Sequence, residues 1–445
     1  MGKENIEKYN AFYAALKSVA SFWHNKVFYR KVIVVGKENI HPDEHLIFAP
    51  NHQNALMDAL AVLFTTSGQP IFLARADIFR KKLMASLLYF LKILPVYRMR
   101  DGYDNLKEND WIFLKTIDVL KNRNGLVILP EGNHEGVRRL RQLKKGICRI
   151  AFQADEATDF KMNIKIIPVG LEFTHYSRVR QVLTVVYGKA IEVSDFYESY
   201  HKNPQRAMNE LREKLSDEIQ QLMVHIESVE DYEAIDELRS IINGKYSDDK
   251  NMPKLFRDRI LINSLNRLKI TSEETYRKIC DLTLKVKKGA AELKTEYRLL
   301  DKKKHTLAGM IGGLITLILT FPIFLYGFFF NYLFLSIPNI SIKNIRDVQF
   351  HASMRYAVSL FLAFVLMPIY LILAFIIFSP WWIAALIFIS IPFTGLYAWS
   401  YHLLYNRITG GLRIRKYIRN GNREYADLRA EYDELVALVT KHASI

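Results

Sequence analysis

Between residue 32 and about residue 200, short apolar runs alternate with segments that have the apolar period of a helix. Seven runs have the length and composition of buried strands: VIVVG, LIFAP, IFLAR, ILPVY, GLVILP, IKIIPVGLEF and VLTVVYG. Segments between them repeat their apolar positions as helices do, for example DALAVLF, IFRKKLMASLLYFL and NDWIFLKTIDVLKN. The alternation predicts one α/β domain over residues 32–200, with a mixed, partly parallel sheet flanked by helices.

The remaining parts of the chain differ in pattern from this domain and from one another. Residues 1–31 carry a helical stripe rich in aromatic residues, which either docks on the α/β domain or lies in a membrane interface. Residues 201–305 are charged with periodic apolar positions, which predicts a helical appendage packed on that domain. Residues 306–405 are mainly apolar, and residues 406–445 form a basic segment followed by a C-terminal amphipathic helix.

The apolar region contains three uncharged runs, residues 307–335, 356–378 and 381–401. A helix needs about 20 apolar residues to cross the hydrocarbon core of a bilayer, so an integral membrane protein is predicted. Pro322 lies near the middle of the first run, where proline interrupts a helix, and lysine and arginine flank the region on both sides. We therefore expect a re-entrant first segment and then a transmembrane hairpin, with three crossing helices as the alternative.

Composition narrows the class of partner. The 445-residue chain has a formal net charge of +16 and 13% aromatic residues, which suits nucleic acid or an anionic membrane surface. The three apolar runs favour the membrane, so a nucleic-acid partner is not expected. Two cysteines, Cys148 and Cys280, stand far apart and suggest neither a disulfide framework nor a zinc cluster. Because the N-terminal segment also lacks the apolar core of a secretory signal, the α/β domain is expected on the cytosolic face.

Candidate chemistry begins with His52, which directly follows the predicted strand LIFAP. Asp58 lies six positions later, and on a regular helix the two side chains would stand about 240° apart. They meet only if His52 lies in a loop that folds back onto the first turns of a helix. The carboxylate would then fix the imidazole tautomer, while the other ring nitrogen removes a proton from a hydroxyl group. The alternatives are an ordinary loop histidine beside a helix cap, and a metal site that includes His134 and Glu135.

Other predicted strands also end in polar residues. Arg98 follows ILPVY, and Glu131 and Gly132 follow GLVILP, before a stretch rich in cations that includes Lys144. Pro168 ends the apolar part of IKIIP. Guanidinium groups suit a phosphate because they bind it through two parallel hydrogen bonds. Ligands of open α/β sheets bind outside the carboxyl ends of the strands, so these loops should converge.

Taken in order, four motifs resemble those of the glycerolipid acyltransferase superfamily, which includes glycerol-3-phosphate and lysophosphatidic acid acyltransferases. The motifs are NHQNALMD, LPVYR, LPEG and IIPVG, within residues 45–175. Two departures from the usual pattern are the five residues between His52 and Asp58, and the continuation NHEG after the third motif's proline and glutamate-glycine. Both resemble the fungal branch that acylates glycerol-3-phosphate and dihydroxyacetone phosphate, which also has a long C-terminal extension with membrane segments.

The resemblance implies an O-acyltransferase in which His52 is the general base and Asp58 orients it. The base deprotonates a glycerol hydroxyl, which attacks the thioester of acyl-CoA or acyl carrier protein. The acceptor it implies is the sn-1 hydroxyl of glycerol-3-phosphate or dihydroxyacetone phosphate, in phospholipid synthesis. Neither a metal nor a cofactor is expected. The residues expected to bind substrate are Arg98, Glu131, Gly132, His134, Lys144 and Pro168.

Two alternatives stay open beside this hypothesis. Acylation of lysophosphatidic acid at the sn-2 position would use the same phosphate, and the sequence does not show whether the pocket admits an acyl chain. A lipid-binding or membrane-organising module with an inactive acyltransferase fold is the other, because fold alone does not imply function. Such a module can lose the catalytic pair, whereas His52 and Asp58 are both present here. Membrane lipid is an expected partner in each case.

Overall fold

The computed structural model describes residues 3–97, 108–244, 252–301 and 306–442. The chain divides into two compact units, each discontinuous in sequence. The first comprises Met1–His225 and Asp347–Ser353, and the second comprises Ile226–Arg346 and Met354–Ile445.

In the part of the chain that the structure describes, the first unit is built on a sheet of eight strands in the order β1-β7-β6-β2-β5-β3-β4, with β8 paired to β6. The strands are β1 Lys31–Val35, β2 Leu46–Pro50, β3 Ile71–Arg75, β4 Ile93–Val96, β5 Leu126–Val127, β6 Lys165–Phe173, β7 Val182–Tyr187 and β8 Ile191–Glu192. Pairings β1–β7, β2–β5, β2–β6, β3–β4 and β3–β5 are parallel, whereas β6–β7 and β6–β8 are antiparallel. The predicted α/β fold with a mixed sheet is confirmed, and all seven predicted strands are present.

Helices cover this sheet and bury its apolar runs. They are α1 Ala11–Phe22, α2 Leu56–Thr65, α3 Lys82–Phe90, α4 Glu108–Lys121, α5 Gly146–Glu156, α6 Tyr197–Lys202 and α7 Pro204–Leu222. Every residue of β2 is buried, as its uninterrupted apolar sequence requires for a central strand. The helix α7, which lies in the predicted appendage, belongs to the first unit because its apolar stripe joins the core through Leu211, Leu215 and Ile219.

The N-terminal stripe forms α1 and a π-helical turn, Trp23–Phe28. Asn10 caps α1, since its side chain accepts a hydrogen bond from the backbone nitrogen of Tyr13 at 2.8 Å. Tyr13 is buried against the unit, whereas Phe12 and Phe22 are 73% and 63% exposed. The helix therefore docks through one face and presents aromatic rings on another.

The second unit is helical. Its helices are α8 Tyr232–Ile242, α9 Lys254–Thr271, α10 Glu273–Glu292, α11 Tyr297–Leu300, α12 Leu307–Ser341, α13 Phe350–Ile377, α14 Trp381–Arg419 and α15 Arg423–His442, with the first turn of α13 assigned to the first unit. Among the described residues, α12, α13 and α14 are long and apolar enough to cross a membrane, and the chain is a membrane protein.

The predicted break at Pro322 is wrong, because α12 runs without interruption through that residue. Contacts with α14 hold α12 on both sides of the proline. Tyr401 donates from its hydroxyl to the carbonyl of Leu317 at 3.1 Å, and the backbone of Thr394 lies where a Cβ on Gly327 would stand. Close helix packing of this kind supports a continuous helix around a proline. Residues 307–341 therefore form one helix and not two half-helices separated at Pro322.

Candidate active site

His52 and Asp58 meet at the carboxyl end of β2, as their spacing required. His52 lies in the loop after the strand, and Asp58 lies in the first turn of α2. The Nδ1 atom of His52 and the Oδ2 atom of Asp58 are 2.8 Å apart. Asp58 is fully buried, while the side chain of His52 is 15% exposed. The carboxylate is therefore sheltered from water, and the imidazole reaches the surface of the site.

The loop folds back because it wraps around the carboxylate of Asp58. The same Oδ2 atom accepts hydrogen bonds from the backbone nitrogens of Gln53 at 2.8 Å and Asn54 at 2.6 Å. Ala55 completes the turn with φ 46° and ψ −126°, a conformation that is unfavourable for any residue with a Cβ. Strained backbone of this kind persists where surrounding contacts over-determine it, and it clusters at functional sites.

The arrangement leaves the second ring nitrogen of His52 ready to accept a proton. Asp58 holds Nδ1 in its protonated form, so Nε2 carries the lone pair. No described residue forms a hydrogen bond with the Nε2 atom of His52, and this atom is not fully buried. The geometry is that of a histidine base oriented by a carboxylate.

Glu131 supports this loop from the end of the neighbouring strand β5. Its Oε1 atom accepts from the backbone nitrogen of His52 at 2.6 Å, and its Oε2 atom accepts from the backbone nitrogen of Arg141 at 3.1 Å and from Nε of Arg141 at 3.2 Å. Burial raises the pKa of Glu131, and these hydrogen bonds oppose that effect. Glu131 thus joins the backbone of the His52 loop to Arg141, a residue that sequence reasoning missed because nothing in a cation-rich stretch marks one member.

The other cations of this stretch are placed differently. Arg138 is buried and donates to Oε1 of Glu172 at 2.8 Å and to the carbonyl of Phe173 at 2.7 Å, so it serves the fold. Lys144 is exposed, and its Cγ atom lies 3.5 Å from where a Cβ on Gly132 would stand. Gly132 has φ +70°, a left-handed conformation that glycine adopts without strain.

His134 lies beside the His52–Asp58 pair. Its ring centroid is 5.3 Å from that of His52, in an edge-to-face arrangement. Burial lowers the pKa of His134, and the charge of His52 lowers it further. Its Nδ1 atom lies 3.3 Å from Oε1 of Gln349, and its ring centroid is 4.9 Å from that of Phe350. Nothing in the sequence around Gln349 or Phe350 indicates that these residues belong to the site.

The remaining predicted residues lie elsewhere or outside the described chain. Pro168 is buried within β6, where it pairs with Ala49 of β2, so it belongs to the strand that supports the end of β2. Arg98 lies outside the described residues. In the described part of the chain, no group of three or more His, Cys, Asp or Glu side chains is placed to hold a metal ion.

Comparison with known proteins gives this domain its family. The Acyltransferase family model matches residues 31–172. Glycerol-3-phosphate O-acyltransferase 1 of Saccharomyces cerevisiae is 27% identical over 197 residues, which are 43% of this chain and 25% of that protein. Glycerol-3-phosphate O-acyltransferase 2 of the same yeast is 27% identical over 113 residues, which are 25% of this chain and 15% of that protein. The matches therefore span a quarter or less of the curated relatives' length.

A solved structure also resembles part of the chain. It is the crystal structure of the 1-acyl-sn-glycerophosphate acyltransferase from Thermotoga maritima, with a TM-score of 0.35 and 18% identity over 47% of this chain and 77% of that one. A likeness at that TM-score supports no argument about fold or function.

The mixed sheet and the His52–Asp58 pair at its carboxyl edge together define an acyltransferase domain. The Acyltransferase match over residues 31–172 and the two yeast relatives confirm the predicted resemblance to the glycerolipid acyltransferase superfamily and to its fungal branch.

Proposed function

We propose that the protein is a membrane-bound O-acyltransferase that transfers a fatty acyl group from an acyl thioester to glycerol-3-phosphate or dihydroxyacetone phosphate at the sn-1 hydroxyl. The observation that carries this proposal is the contact of 2.8 Å between His52 Nδ1 and Asp58 Oδ2. It stands in a domain that matches the Acyltransferase family, and both curated yeast relatives are named for acylation of glycerol-3-phosphate.

In the proposed reaction Nε2 of His52 removes the proton from the acceptor hydroxyl as its oxygen attacks the thioester carbonyl carbon. Asp58 holds the proton on Nδ1 and stabilises the imidazolium that forms. The carbon–sulfur bond then breaks, and the leaving thiolate takes the proton from Nε2. The products are an ester and a free thiol, so the base is regenerated without a further reactant.

We assign the phosphate of the acceptor to Arg98, on the resemblance to the second motif, and to the exposed Lys144 beside Gly132. Arg98→Ala should therefore raise the Michaelis constant for the phosphorylated acceptor far more than that for the acyl donor. Arg98→Lys should rescue only part of the loss, since a point charge does not replace the two parallel hydrogen bonds of a guanidinium group. Equal damage to both substrates would contradict this role.

We place the acyltransferase domain on the cytosolic side of the membrane, with the exposed aromatic face of α1 at the lipid surface. Basic residues precede α12, at residues 302–304, and no described residue between the acyltransferase domain and α12 belongs to a helix long and apolar enough to cross a membrane. Basic segments of this kind favour the cytoplasm. Labelling of a cysteine introduced at the exposed position of Phe22 in sealed vesicles tests the side, and protection of that cysteine by lipid tests the contact.

The decisive experiment is acyl transfer by the purified full chain with labelled acyl-CoA or acyl carrier protein, offered each acceptor separately. Formation of 1-acylglycerol-3-phosphate supports the proposal. Acylation of lysophosphatidic acid alone would replace it with the sn-2 reaction. Binding of lipid without acyl transfer to any acceptor would indicate an inactive module.

A further inference from the structure

A short segment far along the chain, residues 347–353, completes the surroundings of His134. The segment belongs to the first unit although residues 226–346 separate it in sequence from the rest of that unit. Gln349 and Phe350 both contact the imidazole, through Oε1 at 3.3 Å from Nδ1 and through the aromatic ring at a centroid distance of 4.9 Å. The same imidazole meets the ring of His52. The active site is therefore assembled from two distant parts of the sequence.

The amide of Gln349 has only one orientation that satisfies its neighbours. Its Nε2 atom donates to the backbone carbonyl of Glu135, so its Oε1 atom is the one that faces His134. An oxygen accepts a hydrogen bond, which requires the proton of a neutral His134 to sit on Nδ1. The Nε2 atom of His134 is then an acceptor, with no partner among the described residues.

The surroundings of His134 favour its neutral form. Burial lowers its pKa, and the charge of His52 lowers it further. The carboxylates of Asp347 and Asp58 act in the opposite direction and do not outweigh these effects. A neutral ring with a fixed tautomer offers a hydrogen-bond acceptor close to the proposed base.

We propose that Gln349 is a positioning residue, which holds His134 so that its Nε2 atom accepts a hydrogen bond from the second hydroxyl of glycerol-3-phosphate. The inference rests on the proposed function and deepens it. One hydroxyl of the acceptor would meet Nε2 of His52, and the adjacent hydroxyl would meet Nε2 of His134, since the two rings are 5.3 Å apart.

This arrangement distinguishes between acceptors. Glycerol-3-phosphate has a hydroxyl donor on its central carbon, whereas dihydroxyacetone phosphate has a carbonyl oxygen there, which is an acceptor only. The Nε2 atom of His134 is also an acceptor. It cannot form a hydrogen bond with the carbonyl oxygen of dihydroxyacetone phosphate, so both atoms would lack a donor. A site that hydrogen-bonds a substrate hydroxyl discriminates against an analogue that lacks it. His134 and Gln349 therefore favour glycerol-3-phosphate.

The test is the ratio of kcat/KM for glycerol-3-phosphate to that for dihydroxyacetone phosphate. Gln349→Ala should lower this ratio about three- to tenfold, the effect of one neutral hydrogen bond, with the Michaelis constant for the acyl donor unchanged. Gln205→Ala, at an exposed position of α7, is the matched control and should leave the ratio as it is.

Two further variants act on the same contact in different ways. A Cβ on Gly136 would stand 2.7 Å from Cγ of Gln349, so Gly136→Ala should displace the amide and lower the ratio as Gln349→Ala does. Gln349→Glu places a carboxylate beside Nδ1 and raises the pKa of His134. Below that raised pKa the ring is doubly protonated and Nε2 cannot accept, so use of glycerol-3-phosphate should fall at acidic pH and recover as the pH rises.

An unchanged ratio in Gln349→Ala, or an equal loss with both acceptors, would overturn the inference. A wild-type chain that acylates neither acceptor would instead defeat the proposed function. In that case the nitrogen-15 spectrum of labelled histidine still tests the positioning. His134 should be protonated at Nδ1 in the wild type and should be a mixture of tautomers in Gln349→Ala. Identical spectra would refute the positioning role of Gln349.

Discussion

Two buried aspartates, one in each unit, are used in opposite ways. Asp58 and Asp258 are both fully buried. Asp258, on α9, has both oxygens paired: Lys254 donates to both, Arg239 donates to Oδ2 at 2.7 Å, and Asn243 donates to Oδ1 at 2.8 Å. Among the described residues, His52 is the one basic side chain paired with Asp58, and the Oδ1 atom of Asp58 has no hydrogen-bond partner there.

The difference separates a carboxylate that stabilises a fold from one that, in the proposed mechanism, orients a base. The Asp258 cluster links α8 to α9 across the chain between them, and its charges are neutralised within the protein. The charge of Asp58 is directed at one imidazole and is balanced only when that imidazole is protonated. Buried charge held in this incomplete state costs stability, and it is favourable only where a proton arrives during the reaction.

Removing either member of the His52–Asp58 pair should have the largest effect. His52→Ala should lower kcat by about 10² or more, the usual contribution of a positioned base, and Asp58→Asn should be severe because it favours the wrong tautomer. Acyl transfer with labelled donor measures both, and the melting of each purified variant shows whether it is folded. Near wild-type activity in His52→Ala would disprove the mechanism.

The same substitution in the second unit should act on stability and leave the chemistry alone. Asp258→Asn leaves the buried Lys254 without a carboxylate partner and leaves Arg239 with Asp236 alone, which should cost about 3–5 kcal/mol of unfolding free energy. Thermal unfolding in detergent measures the loss, and activity per folded molecule should match the wild type at a temperature where both are folded. A stable Asp258→Asn protein without activity would contradict the division of roles.

Acidic pH should weaken the contribution of Asp258 to the free energy of unfolding. Burial alone would raise the pKa of Asp258, but the charges of Lys254 and Arg239 more than offset it and lower that pKa. A lowered folded-state pKa means that the stabilisation is complete above the unfolded value of about 3.9 and is lost as the pH falls through the folded value. The stability difference between wild type and Asp258→Asn should therefore shrink below about pH 4. A difference that is constant down to the folded pKa would argue against this charge network.

The smallest effect is expected at the strained turn. Ala55→Gly removes the Cβ that makes φ 46° unfavourable, and it should raise stability by about 1 kcal/mol or less after the entropic cost of glycine. Ala59→Gly, inside α2, the helix that follows this turn, is the control and should lower stability by about 1 kcal/mol. Loss of stability at both positions, compared by thermal melting, would show that the turn stores no strain.

The sheet and the contact between His52 and Asp58 were predictable because both depend on local pattern. Uninterrupted apolar runs mark buried strands, and a histidine after a strand with an aspartate in the next helix has one way to meet it. Arg141 was not predictable as the partner of Glu131, since the same short stretch also contains Arg138, Arg139, Lys144 and Lys145. Nor was Gln349, which lies more than two hundred residues from His134. The helix break predicted at Pro322 was wrong because the contacts of α12 with α14 cannot be read from the local sequence.

The late position of residues 347–353 has a consequence for biosynthesis. Residues 1–225 leave the ribosome before the 226–346 stretch, and the segment that carries Gln349 follows only afterwards. At translation rates of about 5–20 residues per second, several seconds pass in which the His52 loop exists without that segment. During that interval Gln349 is not yet present to fix the tautomer of His134, so we expect the proposed preference for glycerol-3-phosphate to arise only when the beginning of α13 has been made.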